Sequence, residues 1–441
     1  MRFLADDPRV DVLEVLLVDL NGVLRGKWIP RDKFDAALSG KLKMPLTAVT
    51  PDVWGRDVPE LCSHTGDGDG IIVPTLRTLS RIPWLRRPTA QVLCHLTDGG
   101  EPWGYDPRVV LMNLQKRVEA KGLRAVVAPE LEFMLLSPDR DAQGVPIIPG
   151  SRINGPRPVG GQLYSTDLMH EYADVLHEMR ECCDALDLGV ETLTKELAPA
   201  QYEINQMYLD DPLRAADNAQ MMKRVIKDVA AKHGYVATFM PKPFTHIDGN
   251  GFHAHISVID ADGNNIFDDG GEDGTAALRH AVAGMAATMA DFMLVFAPNR
   301  NSYRRYAVGT HIPQAPTWGY ENRDVALRIP TGDPKARRIE HRVPGADANP
   351  YLVLAALLAG VLHGLENELE PPPPVEGSDG LERTLAGDWL TALSDFEKST
   401  LVAEYFGQPF KDAFLAIKRF EQEEFDRRVN IFEYDSYLVT S

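Results

Sequence analysis

The sequence predicts an α+β fold with a small N-terminal domain, residues 1–104, and a larger domain, residues 105–441. Three observations support this prediction. The first hundred residues are rich in short runs that alternate apolar and polar side chains, as strands do. The turn-rich segment TDGGEPWGYDP then ends this unit. Beyond it, long stretches with helical spacing alternate with short strand-like runs, which favours helices packed on a sheet.

The first predicted element is a β-hairpin. Residues 12–30 alternate apolar and polar, turn at Asn21-Gly22, and continue as VLRGKWIP. An Asn-Gly pair favours a tight hairpin turn because both residues tolerate positive φ. Strand-like runs continue to about residue 100, and we place the domain boundary near Gly104.

The second domain contains four long helical patterns. The last of them has a clear start, with Asn349 as a candidate N-cap and Pro350 in the first turn. The four prolines at 371–374 should end it as a rigid stop. The four patterns cover residues 167–188, 212–233, 274–296 and 350–369.

Four strand-like stretches place charged side chains on one face and apolar side chains on the other. In VVAPELEFMLL, Glu130 and Glu132 are two residues apart and therefore point to the same side of a strand. QYEIN, GFHAHISV and RRIEHRV repeat the split. One sheet with a polar concave face and an apolar back accounts for all four. The polar side chains of the last three stretches are Gln201, Glu203, Asn205, His253, His255, Ser257, Arg338, Glu340 and Arg342.

A buried carboxylate is costly unless it is paired, hydrogen-bonded or bound to a metal. Carboxylates with an imidazole suit Mg²⁺ or Mn²⁺, and the histidine favours Mn²⁺. The alternative for any one stretch is the solvent-exposed face of an antiparallel sheet, which is normally polar. Four such stretches together favour a metal site.

Composition excludes several classes of function. The net charge of −18 would repel nucleic acid and anionic membranes. The N-terminus has acids where a signal peptide has basic residues, and no later apolar run approaches the roughly 20 residues that a membrane span needs. We therefore expect a cytoplasmic protein. Four cysteines fit no metal spacing. The sequence has no Walker loop and no dinucleotide fingerprint, so metal and side chains would have to hold any ATP phosphates.

Seven separated motifs carry a resemblance to a known family. They are PELEF, KELAPAQYEIN, ATFMPKP, GNGFHAHIS, NSYRR, ENRDVALRIP and ARRIEHRVPGADANPYL. In this order they resemble the glutamine synthetase family over nearly the whole chain. Within it, DLNGVLRGKWIP and the tail KRFEQEEFDRRVNIFEYDSYL are most similar to the γ-glutamylpolyamine (γ-glutamylputrescine) synthetases.

The resemblance implies a β-grasp N-terminal domain and a glutamine synthetase-type catalytic domain with a curved antiparallel sheet. It also implies a homo-oligomer of stacked rings, a dodecamer, with each active site between two subunits. ATP would be a substrate, and each site would hold two or more Mg²⁺ or Mn²⁺ ions. By motif position, Glu132, Glu196 and Glu203 match the ligands of one metal, and Glu130, His253 and Glu340 match those of the second.

Further site residues follow from the same motifs. Arg323 and Arg338 match arginines that stabilise the transferred phosphoryl group, where fixed positive charge offsets developing negative charge. Arg305 and Arg342 match residues that hold the carboxylates of glutamate. The alternative for each is an ordinary surface charge. Gly249 matches a backbone contact to glutamate, and the positions that match nucleotide contacts are His255, Ser257, Arg328 and Lys335.

Two departures fall at the ammonia end of the reaction. Where glutamine synthetases carry an Asp before a Gly, the best alignment places Trp54 before Gly55, although Asp52 or Asp57 could still reach the site. In GTHIPQAP, Gln314 replaces the family's Glu, and a neutral amide can neither attract a cation nor accept its proton. We expect Trp54 to form an aromatic wall along the amine and to attract an ammonium through its π face.

The predicted activity is ATP-dependent ligation of L-glutamate to a small primary amine through γ-glutamyl phosphate, with a polyamine such as putrescine first. Three alternatives stay open. They are a glutamine synthetase that uses ammonia, a ligase for a monoamine such as methylamine or ethanolamine, and a non-catalytic relative that binds glutamate. The intact set of metal-matching positions counts against the last of these.

Overall fold

The computed structural model describes residue 4, residues 7–153, 155 and 160, and residues 162–306, 312–377 and 382–440. Two sheets with flanking helices form the described chain, which confirms the predicted α+β fold. The first sheet lies in residues 12–102 and the second in residues 124–341.

The N-terminal sheet is built around the predicted hairpin. Its two strands, β1 and β2, pair antiparallel, and Gly22 in their turn has a φ of 73°. β1 also pairs parallel with β6, so the hairpin forms one side of a seven-stranded sheet in the order β2-β1-β6-β4-β3, with β5 and β7 on β6. The strands are β1 Val12–Val18, β2 Leu24–Pro30, β3 Lys43–Pro45, β4 Asp69–Pro74, β5 Ser80–Arg81, β6 Thr89–Asp98 and β7 Glu101–Pro102. Two short helices accompany them, α1 Phe34–Leu38 and α2 Pro59–Thr65.

The second sheet contains all four of the charged stretches, as predicted. Its order is β13-β14-β15-β12-β8-β10-β9, with β11 on β8, and the four stretches form the adjacent strands β15, β12, β8 and β10. Among the strands of this sheet that the structure describes, only β13 and β14 pair parallel. The strands are β8 Arg124–Leu136, β9 Val190–Lys195, β10 Gln201–Gln206, β11 Val236–Thr238, β12 Phe252–Ile259, β13 Trp318–Tyr320, β14 Leu327–Ile329 and β15 Ile339–His341. Arg338 and Arg342 therefore flank β15.

Helices form at all four predicted patterns, two of which are divided into a pair of helices. In the last, the Asn349 side chain accepts the Tyr351 N–H and caps the helix as predicted. The helices are α3 Pro107–Glu119, α4 Thr166–Glu171, α5 Ala173–Ala185, α6 Pro212–Lys232, α7 Ala276–Thr288, α8 Met293–Phe296, α9 Pro350–Asn367, α10 Trp389–Lys398, α11 Thr400–Phe406, α12 Gln408–Arg427 and α13 Ile431–Tyr437.

Helix α9 is the centre of the larger core. By length and composition it could cross a membrane, which corrects the expectation that every apolar run is too short. It is mostly buried, however, and it packs against α7, α3 and α6, as a core helix does.

The hydrophobic core joins the two sheets. Leu16 and Val18 of β1 belong to the same buried cluster as Val110 and Leu111 of α3. A smaller cluster, which includes Leu13, lies within the N-terminal unit. The proposed boundary near Gly104 falls in the turn between β7 and α3, and it stays a proposal.

Candidate active site

Strand register brings the charged side chains together on one face of the second sheet. On β8, Glu132 lies opposite Glu203 of β10. Two residues earlier, Glu130 lies opposite Asn205 of β10 on one side and His253 of β12 on the other. The two carboxylates of PELEF therefore find their partners on both neighbouring strands.

Glu130 is the hub of the cluster. One of its oxygens lies 2.9 Å from His255 Nε2 and accepts a 3.2 Å hydrogen bond from Asn205 Nδ2. The other lies 3.6 Å from His253 Nδ1, which is itself 3.8 Å from a Glu340 oxygen. Burial alone would raise the pKa of Glu130, but its interactions with the two histidines outweigh burial and hold that pKa well below its usual range.

Glu132 is held by donors from two other segments. Its Oε2 accepts the Gly251 N–H at 2.7 Å and Gln201 Nε2 at 3.1 Å. Gln201 also donates to the Gly249 carbonyl at 3.0 Å and to Asn250 Oδ1 at 3.1 Å. Sequence reasoning placed Gln201 on the polar face but gave it no role. The structure shows that it ties Glu132 to the Gly249 segment.

Two further carboxylates, Glu196 and Glu203, belong to the same cluster. Burial and then the charge of Glu132 raise the pKa of Glu196 to about 7. Burial and then the charges of Glu130, Glu132 and Glu196 raise the pKa of Glu203 as well. In both residues burial and the neighbouring negative charges disfavour ionisation, so this part of the cluster lacks compensating positive charge. Divalent cations would supply that charge, so the residues present fit a metal centre.

Among the described residues, two groups of side chains could each hold a cation. In each group one ligand atom per residue lies within 4.8 Å of the others, the groups being Glu130 with His255 and Glu340, and Glu130 with Glu203 and His253. The predicted division put Glu203 with Glu132 and Glu196 instead. The structure also adds His255, which the resemblance implies to be a nucleotide contact. The division of ligands between two metals stays a prediction.

Glu340 is paired with two arginines. Its buried carboxylate accepts Arg328 Nη1 at 2.9 Å and Arg342 Nη1 at 2.6 Å. Burial opposes ionisation, but Arg342 and then the histidines lower the pKa of Glu340 to about 2. Arg342 also donates through Nε to the Arg323 carbonyl at 3.2 Å. Arg328, a predicted nucleotide contact, and Arg342, a predicted glutamate contact, thus both pair with a predicted metal ligand. The Arg323 side chain is exposed.

A cavity of about 870 Å³ opens beside the carboxylates. Ser257, Lys335, Arg338 and His255 line it together with Glu130. Arg338 Nε donates to His255 Nδ1 at 3.2 Å, which fixes the ring between the arginine and Glu130. The volume of the cavity suits a nucleotide-sized ligand. The structure therefore brings three predicted nucleotide contacts to one cavity.

The glutamate-side residues lie around two glycines that other atoms approach closely. Buried Arg305 donates through Nη1 to the carbonyls of Val343 and Pro344 at 2.8 and 3.0 Å. A Cβ at Gly251 would lie 2.6 Å from Arg305 Nη2, and one at Gly249 would lie 2.1 Å from the Pro241 carbonyl oxygen. Gly249 therefore requires glycine, because a backbone carbonyl cannot rotate away, whereas a Cβ at Gly251 would displace the end of the Arg305 side chain. The sequence signal for Gly251 was its place in GNGFHAHIS.

Trp54 is not a core residue, since 39% of it is exposed. Its ring lies 5.4 Å from that of Phe425, with the guanidinium carbons of Arg56 and Arg428 at 4.7 and 5.6 Å from its centre. Two cations already lie at the ring, so the expected attraction of a substrate ammonium to its π face is not favoured. The exposed part of the ring can still line an alkyl chain.

Asp52, which the sequence offered as an alternative acid for the ammonium site, makes its hydrogen bonds within its own loop. Fully buried, it accepts the Trp54 N–H at 2.9 Å and Arg56 Nε at 2.7 Å. Asp57 is exposed. Gln314 accepts Arg383 Nε at 2.8 Å through its side chain. Residues 309–311 of the GTHIPQAP segment lie outside the described residues, and the roles of Trp54 and Gln314 at the amine stay predictions.

Comparisons with known proteins agree with this geometry. Residues 104–437 match the family model for the glutamine synthetase catalytic domain. The chain is 38% identical to γ-glutamylputrescine synthetase PuuA of Escherichia coli K12, over 99% of this chain and 93% of that protein. It is 33% identical to a glutamate–isopropylamine ligase of a Pseudomonas species, over 99% and 97% of the two chains. A solved structure titled GmaS/ADP complex superposes with a TM-score of 0.86 at 27% identity, over 99% of this chain and 98% of that one.

Proposed function

Since the chain belongs to the glutamine synthetase family, we propose that this ATP-dependent glutamate–amine ligase acts on an organic primary amine, with a polyamine such as putrescine first. The γ-carboxylate of L-glutamate attacks the γ-phosphorus of ATP and releases ADP. The amine nitrogen then attacks the carbonyl carbon of γ-glutamyl phosphate, phosphate leaves, and the amine loses a proton.

The cluster of carboxylates is the observation that supports metal- and ATP-dependent chemistry. Glu196 and Glu203 resist ionisation beside Glu130 and Glu132, and the nucleotide-sized cavity lies next to them. Bound Mg²⁺ or Mn²⁺ would neutralise charge on the phosphoryl oxygens. The proposed ligands are Glu130, Glu132, Glu196, Glu203, His253 and Glu340.

The remaining roles belong to arginines and backbone groups of this chain. We assign Arg323 and Arg338 to the transferred phosphoryl group, where fixed guanidinium charge stabilises the transition state. Arg305 and Arg342 hold the carboxylates of glutamate beside Gly249. His255, Ser257, Arg328 and Lys335 contact the nucleotide.

The choice of an organic amine is supported by the ammonia end of the site. Trp54 and Gln314 replace acids, and Asp52 is buried in its loop. The names of three relatives also point to organic amines: putrescine, isopropylamine and ethanolamine, the last in the γ-glutamylethanolamide synthetase GlnA4 of Streptomyces coelicolor, which is 32% identical over 96% of this chain and 92% of that protein. Ammonia is the second candidate, because the chain is also 33% identical to a glutamine synthetase of Thermococcus kodakarensis, over 95% of this chain and 90% of that protein.

We further propose a homo-oligomer of stacked rings, a dodecamer, with active sites between subunits. The C-terminal tail supports assembly, since several of its large apolar side chains are mostly exposed in the single chain. Monomers rarely expose such a patch. These residues are Val429, Ile431, Phe432, Tyr434, Tyr437, Leu438 and Val439.

The test is phosphate release with ATP, glutamate and Mg²⁺ or Mn²⁺ across ammonium, methylamine, ethanolamine, isopropylamine, putrescine and spermidine. We expect the highest kcat/KM with a polyamine and a γ-glutamylamide as the product in mass spectrometry. If ammonium gives the highest kcat/KM, the chain is an ordinary glutamine synthetase. If no amine stimulates phosphate release, the ligase proposal is wrong.

A further inference from the structure

One face of helix α12 and its C-terminal cap holds the loop that carries Trp54. Residues 418, 421, 425 and 428 are spaced three or four apart and therefore lie along one side of a helix. The loop is Asp52–Asp57, more than 360 residues earlier in the chain.

A fully buried ion pair makes the first of these contacts between the helix and the loop. Lys418 Nζ and Glu421 Oε2 are 2.9 Å apart, and neither side chain is exposed. Glu421 Oε1 accepts the Val53 N–H at 2.7 Å and Asn21 Nδ2 at 3.0 Å. Lys418 also donates to Asn21 Oδ1 at 2.5 Å and to Asn299 Oδ1 at 3.3 Å. The pair thus holds the loop backbone and the hairpin turn together.

Side chains further along the helix hold the aromatic tip of the loop. The Phe425 ring packs on Trp54, and the guanidinium of Arg428 lies over the same indole. Glu424 accepts Arg428 at 2.7 Å and lies 3.5 Å from Arg56, which itself stands over Trp54. Helix contacts therefore fix both the backbone and the ring of the loop.

The other end of the network reaches the segment that precedes Arg305. Asn299 Nδ2 donates to Asp347 Oδ2 at 2.7 Å, and the Ser302 hydroxyl donates to the same oxygen at 2.6 Å. The Arg305 N–H in turn donates to the Ser302 carbonyl at 3.1 Å. Lys418 is thereby connected both to the Trp54 loop and to a proposed glutamate-binding segment.

We propose that Lys418, Glu421 and Phe425 are positioning residues that set amine specificity by fixing the Trp54 loop. The inference rests on the proposed function, in which this loop lines the amine site. Burying an ion pair costs desolvation energy that an apolar pair of similar volume would avoid. Here the pair gives directional contacts to a backbone N–H and to two asparagines, which apolar side chains cannot make.

The test compares steady-state kinetics of full-length Glu421→Ala, Phe425→Ala and Phe425→Tyr with wild type, using the preferred amine of the panel. Arg419→Met is the matched control, since Arg419 lies on the same helix in an exposed pair with Glu397. Phe425 is 36% exposed, so its truncation should leave the chain folded even if Glu421→Ala does not fold. Circular dichroism and thermal unfolding report folding.

We expect Phe425→Ala, and Glu421→Ala where it folds, to raise the KM for the amine on the order of tenfold or more, as misplaced binding groups do. The KM values for ATP and glutamate should stay within about twofold. Phe425→Tyr should restore the amine KM, and Arg419→Met should match wild type. An unchanged amine KM in folded Phe425→Ala, or a parallel change in all three KM values, would overturn the inference. Loss of all amine dependence in the wild type would instead overturn the proposed function.

Discussion

Glu132 is a carboxylate whose surroundings fit the proposed metal chemistry better than a stabilising role. Among the described residues, its side chain accepts hydrogen bonds from Gly251 and Gln201, and its charge acts on two other carboxylates, Glu196 and Glu203. Replacing it with alanine removes a proposed metal ligand while also removing like-charge repulsion.

We therefore predict that Glu132→Ala abolishes turnover and leaves the thermal unfolding temperature near that of wild type. Phosphate release at saturating Mn²⁺ and a thermal melt check the two parts. Glu191→Ala is the control, because Glu191 also lines the cavity but has no proposed role. Near-wild-type turnover in Glu132→Ala would remove Glu132 from the metal centre.

Arg323 tests the phosphoryl-transfer assignment. Its side chain is exposed, whereas its carbonyl accepts Arg342 Nε. We predict that Arg323→Lys lowers kcat by roughly a hundredfold, because a point charge cannot reproduce the planar fork at a transition state. ATP affinity, measured separately by equilibrium titration, should change little. Weakened ATP binding with an unchanged kcat would assign Arg323 to ground-state binding.

At this scale the sequence predicts which side chains share a face better than it predicts their partners. Period-two alternation was enough to put Glu130 and Glu132 on one face of their strand and Glu203 on the polar face of its own, and the structure pairs those strands. The alternation could not show that the Asp52 carboxylate is buried and hydrogen-bonded within its own loop, since that depends on how the loop folds. Nor could it place two arginines on Glu340.

Among the elements, helices α7 and α9 approach so closely that glycines are required between them. A Cβ at Gly364 would lie 1.8 Å from the His280 carbonyl oxygen, and one at Gly284 would lie 2.2 Å from the Gly360 oxygen. Both obstacles are backbone atoms, which cannot rotate away as a flexible side chain can.

We predict that Gly364→Ala destabilises the protein although alanine is the better helix former. The propensity gain is about 1 kcal/mol. Overpacking typically costs 1–3 kcal/mol and more where backbones must separate, so a net loss of roughly 2 kcal/mol is expected. Thermal unfolding measures it, with Gly104→Ala as the control because a Cβ there meets nothing within 4 Å. An unchanged or raised unfolding temperature would contradict the close approach.

The long helices were predictable because their signals are local. Asn349 and Pro350 mark the start of α9 within two residues. The contact between α12 and the Trp54 loop was not predictable, because Val53 and Glu421 are far apart in sequence and their hydrogen bond leaves no periodic pattern. A single sequence shows the elements but not such long-range contacts.

At the scale of the whole molecule, the exposed tail would link folding to the proposed assembly. Asn430 and Glu433 form a capping box, so α13 has a defined start despite its lack of buried residues. A short helix is marginal by itself, and most helical stability comes from packing. In the proposed assembly, this exposed helix would be buried against a second copy of the chain.

We predict that deleting residues 430–441 lowers the mass of the assembly in light scattering, because each buried apolar side chain contributes about 1.5–3 kcal/mol to association. Activity should fall with it, since the proposed active sites lie between subunits. The double substitution Phe432→Ser with Leu438→Ser should act in the same direction without shortening the chain. Asp435→Asn, on the same helix, is the control and should leave the mass unchanged. If the truncated protein keeps both its mass and its kcat, the tail does not hold subunits together, and the proposed rings would need a different interface.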